Sequence, residues 1–107
     1  MAEYYYDTEG GKRLKQLKQA RPELFQAFSD FNSKVFQPGA LGLKEKELIA
    51  LACAHITQCP YCIDGHTRRA REAGAKEEEI AEAIFVAVAL RAGGGLAHAS
   101  VAMRSAV

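Results

Sequence analysis

Apolar residues recur along this chain at three- and four-residue intervals, and the two-residue alternation of a half-buried strand persists nowhere. Leu14, Leu17, Leu24, Phe25, Phe28, Phe31 and Val35 follow the helical spacing. Pro22 sits where a helix can begin without losing a needed N–H, so this stretch divides into two helices. Gln37-Pro38-Gly39-Ala40-Leu41-Gly42 is a turn cluster. A third helix is predicted over residues 44–57, with Leu48, Ile49, Leu51, Ala52 and Ile56 mostly along one side. Pro60 fits the first position of a fourth, with Cys59 as its N-cap and Gly74 as its stop. Glu77, Glu78 and Glu79 place negative charge at the start of a fifth helix, where the helix dipole favours it. That helix runs through Ile80, Ile84, Ala87 and Val88 towards Arg91. Gly93-Gly94-Gly95 is expected to break it, leaving a sixth helix with Leu96, Ala99 and Met103. The expected fold class is all-α, a bundle of about six helices.

Residues 83–90 are apolar nearly all round. A helix of that kind is buried in a core or in a subunit interface. The chain has 107 residues, enough for one domain spanning residues 1–107 and too few for two. Such a domain has little room for an all-round buried helix, so an interface is expected. Tyr4-Tyr5-Tyr6 is expected to pack on the domain surface or on a neighbouring subunit.

Composition narrows the function classes. About half the residues are apolar, a quarter are charged, and the formal net charge is +1. No nucleic-acid footprint follows from that balance. Basic residues gather at Lys12, Arg13, Lys15, Lys18 and Arg21, and again at Arg68, Arg69 and Arg71, each group with acidic neighbours. Both read as solvated helix faces. The N-terminus lacks the basic start and apolar stretch of a secretion signal. No window reaches the roughly 18 uninterrupted apolar residues that span a bilayer. A soluble, cytoplasmic protein with no membrane partner is expected.

The chemistry lies in the cysteines. There are three, and two form Cys59-Pro60-Tyr61-Cys62. In a reducing compartment such a pair is more often catalytic or metal-binding than structural. On a helix, Cys62 and His66 stack one turn apart, and Cys59 joins the same side as the chain enters. Tyr61 and Asp64 point elsewhere. Free backbone N–H groups in a first turn favour thiolate, and His66 can carry a proton. Glu47 is a candidate partner because its helix leads straight into Cys59. A zinc site would need His66 together with Cys53 or His55, and the reading favours redox chemistry with no metal and no cofactor. Cys53 is expected to be a small buried filler. His55, two turns beyond Glu47, is expected to be a hydrogen-bonded structural residue rather than part of the site; His98 has no motif support.

The run Glu47, eleven residues, Cys59, two residues, Cys62, three residues, His66 resembles the alkyl hydroperoxidase D family, which belongs with the carboxymuconolactone decarboxylase-like proteins. The resemblance extends over residues 43–95. It takes in Leu48-Ile49-Ala50-Leu51-Ala52 before the cysteines, and Ala73-Gly74-Ala75 with Glu77-Glu78-Glu79-Ile80 after them. It implies an all-helical antioxidant fold assembled as a homotrimer or homohexamer. It also implies roles: Cys62 as the sulfur that attacks a peroxide substrate, Cys59 as the partner engaged by the reductant, and Glu47 and His66 as proton carriers. The implied reductant is a dithiol such as a dihydrolipoyl protein. One departure is that the family's best-known peroxidase carries a second histidine between its cysteines, where this chain has Tyr61. That substitution implies a shorter relay.

Three other functions compete. Lactone decarboxylation shares the resemblance but does not depend on a C-x-x-C pair. A glutaredoxin-like protein shares Cys-Pro-Tyr-Cys, yet that fold needs a strand before the motif and a cis-proline loop after it, and neither is expected here. A non-enzymatic, oligomeric redox sensor would use the disulfide as a switch. The sequence favours a thiol-dependent peroxidase or disulfide reductase.

Overall fold

The computed structural model describes residues 9–105. Tyr4, Tyr5 and Tyr6 lie outside them. Five helices follow one another: α1 (Gly10–Ala20), α2 (Pro22–Val35), α3 (Leu43–Thr57), α4 (Pro60–Glu72) and α5 (Glu77–Ser105). Among the described residues there is no strand, and the all-α expectation holds.

α3 is the centre of the packing and meets both α4 and α5. Its buried residues, Glu47, Leu51 and Ala54, are four and three positions apart and form one stripe. Leu51, Ala70 of α4 and Ile80 of α5 make the core, with Leu48, Ala75 and Ile84 packed against it. The loops between these helices are short because each helix end is closed by its own turn. After α4, Gly74 takes φ +96, the Gly74 N–H donates to Arg71 O, and the Ala75 N–H donates to Ala70 O. That is the Schellman arrangement, which only a residue tolerant of left-handed backbone supports without strain. After α3 the same task falls to Gln58, at φ 59, and the Cys59 N–H donates to Ala54 O.

α1 and α2 form a hairpin with Arg21 alone between them. Neither helix has a buried residue. The hairpin is attached at two places. Lys46 of α3 donates from Nζ to Val35 O (2.7 Å) and to Gln37 O, neutralising the carbonyl end of α2. Tyr61 of α4 lies so close to Gly10 that a Cβ there would meet its ring at 2.7 Å.

The glycine triplet corrects one expectation. Helix α5 runs unbroken through Gly93, Gly94 and Gly95, so the expected fifth and sixth helices are one. Glycine costs about 1 kcal/mol relative to alanine inside a helix. It weakens a helix without ending it, because propagation is inexpensive once a helix is nucleated. Leu96 and Ala97, both good helix formers, follow the triplet directly. Phe85, Val86, Val88 and Leu90 of α5 are exposed, and every residue from Val88 to Arg104 is exposed. By length and composition alone, Glu77–Arg104 is long and apolar enough to cross a membrane.

Candidate active site

The site is built where α3 ends and α4 begins. Pro60 occupies the first turn of α4 and Cys59 is its N-cap, with Sγ accepting the Cys62 backbone N–H at 3.2 Å. The two cysteine sulfurs lie near disulfide distance, their Cα atoms 5.2 Å apart. A sulfur that accepts an N–H at a helix start is favoured as thiolate when reduced, since the donor and the dipole both stabilise its charge.

One turn further along α4 stands His66. Its Nδ1 is 2.7 Å from Oε2 of Glu47, a carboxylate only 2% exposed. Glu47 is therefore no surface acid. Burial of an ionised carboxylate requires partners for its oxygens, and both oxygens have them: Arg69 Nε lies 3.4 Å from Oε1. Phe36, just beyond α2, stacks on the His66 ring at 5.2 Å between centroids and 21° between planes. The ring is thus fixed in plane by Phe36 and in rotation by Glu47.

The His66–Glu47 pair stands between two cavities. The first, about 540 Å³, is lined by Cys62 and His66 together with apolar residues including Val35, Leu41, Ile49 and Ala54. The second, about 470 Å³, has Glu47, His66, Arg69 and Glu72 on its wall, with Asn32 and Ser33 from α2. His66 is common to both. Cys59 lines neither.

The structure thus brings Cys59, Cys62, His66 and Glu47 into one cluster. Tyr61 and Asp64 stand apart from it, Tyr61 against Gly10 and Asp64 paired with Arg68. His55 Nδ1 is 2.7 Å from Leu51 O, a structural hydrogen bond within its own helix. Cys53 corrects an expectation: it is exposed, on the wall of the apolar cavity with Cys62, rather than buried. Glu47, Leu51 and Ala54 occupy the buried stripe of α3, and Cys53 falls beside that stripe. Sequence reasoning missed Arg69 and Phe36. Arg69 was assigned to a solvated face, yet it sits three residues after His66 and seven after Cys62, the spacing that brings side chains to one helix side. Phe36 gave no local signal, since its contact with His66 crosses the whole turn cluster. Among the described residues there is no group of three or more His, Cys, Asp or Glu able to hold a metal ion.

Comparison with known proteins agrees with this architecture. Residues 22–104 match the carboxymuconolactone decarboxylase family. A Paracoccus denitrificans protein, known as uncharacterized protein 4 in the cox locus, is 47% identical over 90 residues, covering 84% of this chain and 81% of that one. A carboxymuconolactone decarboxylase family protein of Legionella pneumophila superposes with a TM-score of 0.73 at 35% identity, covering 86% of this chain and 82% of that chain. A Thermotoga maritima member, for which an antioxidative role has been suggested, gives a TM-score of 0.57 at 30% identity over 78% of this chain and 95% of its own. The chain belongs to the carboxymuconolactone decarboxylase family.

Proposed function

We propose that this protein is a thiol-dependent peroxidase of the alkyl hydroperoxidase D type. The observation that carries the reading is that Cys62 and His66 line one apolar cavity while His66 is paired with the buried Glu47 behind it. The Cys62 thiolate attacks the distal oxygen of a hydroperoxide, ROOH. The O–O bond breaks, Cys62 becomes a sulfenic acid, and the leaving alkoxide takes a proton from His66 to become ROH. Cys59 thiolate then attacks Cys62 Sγ, the S–O bond breaks, and with one proton water leaves. An external dithiol reduces the resulting disulfide and is itself oxidised to a disulfide. Cys59, outside the cavity, is the sulfur that the dithiol reaches first. The suggested antioxidative role of the Thermotoga maritima relative supports the same reading.

The C-x-x-C pair is what favours this chemistry over lactone decarboxylation, which makes no use of two thiols. Purified protein supplied with an organic hydroperoxide and dihydrolipoamide should consume thiol catalytically, over many turnovers per subunit. A single stoichiometric oxidation, with no turnover, would support the redox-sensor reading instead.

The working form in this proposal is a homo-oligomer, with three or six subunits. The chain exposes 8564 Å², whereas a folded monomer of 11.7 kDa exposes roughly 5,900 Å². Its radius of gyration is 17.8 Å, against about 13 Å for a compact chain of this length. The apolar face of α5 is exposed, and a second copy is the occupant that fits it. A membrane fits poorly, because Arg91 lies within the helix and donates to Ile56 O. Light scattering that showed a stable monomer at micromolar concentration would overturn this.

A further inference from the structure

The polar cavity takes no part in the attack on peroxide, yet it shares its wall with the proton carriers. We propose that this cavity is the proton port of the redox centre, and that Arg69 is the positioning residue that keeps Glu47 in service there. The inference rests on the peroxidase reading for its purpose and on the geometry of Glu47 for its content.

Each catalytic cycle delivers a proton to the leaving alkoxide, and each such proton must be replaced. The apolar cavity is ill suited to replace it: its lining apart from Lys46, Cys53, Thr57, Cys62 and His66 is hydrocarbon, and Lys46 is committed to the end of α2. The polar cavity is suited. Asn32, Ser33, Arg69 and Glu72 are all exposed on its wall, and the buried Glu47 lines the same cavity. Protons therefore enter on one side of His66 and peroxide on the other.

Arg69 determines whether the carboxylate stays aligned for that transfer. Glu47 has one oxygen on His66 Nδ1 at 2.7 Å and the other facing Arg69 Nε at 3.4 Å. Arg69 Nη2 also lies 3.2 Å from the same Nδ1. The shorter contact makes Nδ1 a donor to Glu47, and in that state Arg69 is a neighbouring cation rather than a hydrogen-bond partner of the ring. When Nδ1 has no proton, the same guanidinium becomes its donor. Nδ1 thus has a partner in either protonation state, and Nε2 remains free to serve Cys62. Lysine could supply the charge but not the planar fork that reaches both groups.

The charged and titratable groups facing the His66–Glu47 pair are Arg69 and Glu72 from α4 and, around the apolar cavity, Lys46 and the Cys53 thiol from α3 and the Cys62 thiol from α4; α2 contributes only the neutral Asn32 and Ser33. Removing the cation of Arg69 takes one positive charge from beside the pair, so protonation becomes easier.

The test uses full-length Arg69→Met and Arg69→Lys proteins. Turnover with an organic hydroperoxide is followed against pH, and the His66 imidazole is titrated by NMR. Arg69→Met should lower kcat by about 10- to 100-fold, the range that misplaced catalytic groups produce, with KM for the hydroperoxide unchanged because Arg69 lies outside the apolar cavity. It should also move the His66 titration midpoint upward. Arg69→Lys should restore the midpoint while recovering only part of kcat. An unchanged midpoint in Arg69→Met would sink the proposal. So would a change in KM alone. The NMR titration reads the port even if the wild-type protein proves to have no peroxidase turnover, so the two readings fail separately. Circular dichroism matching wild type ensures that neither variant is merely unfolded; should Arg69→Met fail that check, Arg69→Gln replaces it under the same criteria.

Discussion

The stretch from α3 to the start of α5 and the remainder of the chain obey different rules. In the first, each helix contributes to one core, where Leu51, Ala70 and Ile80 close against one another. In the second, comprising the α1–α2 hairpin and the later part of α5, apolar side chains are as frequent but lie open. Leu17 and Phe28 of the hairpin are more than half exposed, and Leu96 of α5 is 78% exposed. Leu14, Leu17, Leu24, Phe25 and Phe28 even enclose an apolar groove with only Arg21 for polarity. An isolated monomer rarely leaves so large a connected apolar surface in water. The candidate site residues Glu47, Cys59, Cys62 and His66 all lie in the region that completes its own core, while α2 of the other region adds wall to both cavities and otherwise leaves apolar side chains open. In the proposed oligomer, each subunit would thus hold its own candidate site before it assembles.

Five substitutions break or sharpen that contrast. Cys62→Ser should abolish peroxide consumption while leaving the assembly intact, which stopped-flow thiol loss and light scattering together would establish. Glu47→Gln should slow the peroxide half-reaction by about 10²–10⁴, the usual worth of acid–base help. Gln preserves shape and hydrogen bonding, so the deficit isolates proton transfer, and it should shrink at alkaline pH, where thiols ionise unaided. Full activity from pH 6 to 9 would remove Glu47 from the mechanism.

On the other side of the contrast, Leu96→Glu should spare the chemistry of each subunit and weaken association by about 100-fold, or about 3 kcal/mol. Sedimentation against concentration would measure it, and an unaltered profile would show that this face of α5 is uncovered. Gly94→Ala is a finer probe. On an open helix it should raise stability by up to about 1 kcal/mol. Under a closely packed second copy the added methyl costs more than the helix gains, so a lower melting temperature is expected, by differential scanning calorimetry.

The smallest effect concerns the seam between α3 and α5. The Lys76 backbone N–H, and after it the Lys44 ammonium, hold the Glu79 carboxyl below its ordinary range. The Lys44 Nζ lies 2.9 Å from that carboxylate, and its own proton is held more tightly in return. Because the folded-state value of Glu79 is depressed, its contribution is complete above the unfolded value near 4.5 and fades as pH falls through the folded one. Acid titration of stability should therefore be shallower in Glu79→Gln than in wild type. Equal slopes would mean that the pair at this exposed seam contributes nothing.

Much of the core and of the candidate site was legible because both are local. Helix starts at Pro22 and Pro60 follow from the missing N–H of proline, and the seam at Cys59 follows from capping. The spacing from Cys62 to His66 is one helical turn, readable without any tertiary information. What escaped was non-local. The glycine triplet reads as a stop by propensity, but propensity does not say whether the chain beyond has anything better to do than continue the helix. The exposure of Cys53 depends on which side of α3 receives α4 and α5. Arg69 looked like any solvated base until the buried carboxylate across from it was in place.

Between α3 and α4 lie only Gln58 and Cys59, and Gln58 is already in the left-handed region. So short a hinge acts as a gear key. One residue gained or lost there, or anywhere between Glu47 and His66 within the helices, would rotate the following side chains by about 100°. His66 would then turn away from Glu47, and Cys62 away from its cavity. Substitutions along this stretch leave the helical register as it is, whereas insertions and deletions do not. Variation in length among functional descendants of this chain should therefore accumulate in the turn cluster before α3 and beyond the redox centre, while the count of residues from Glu47 to His66 stays invariant.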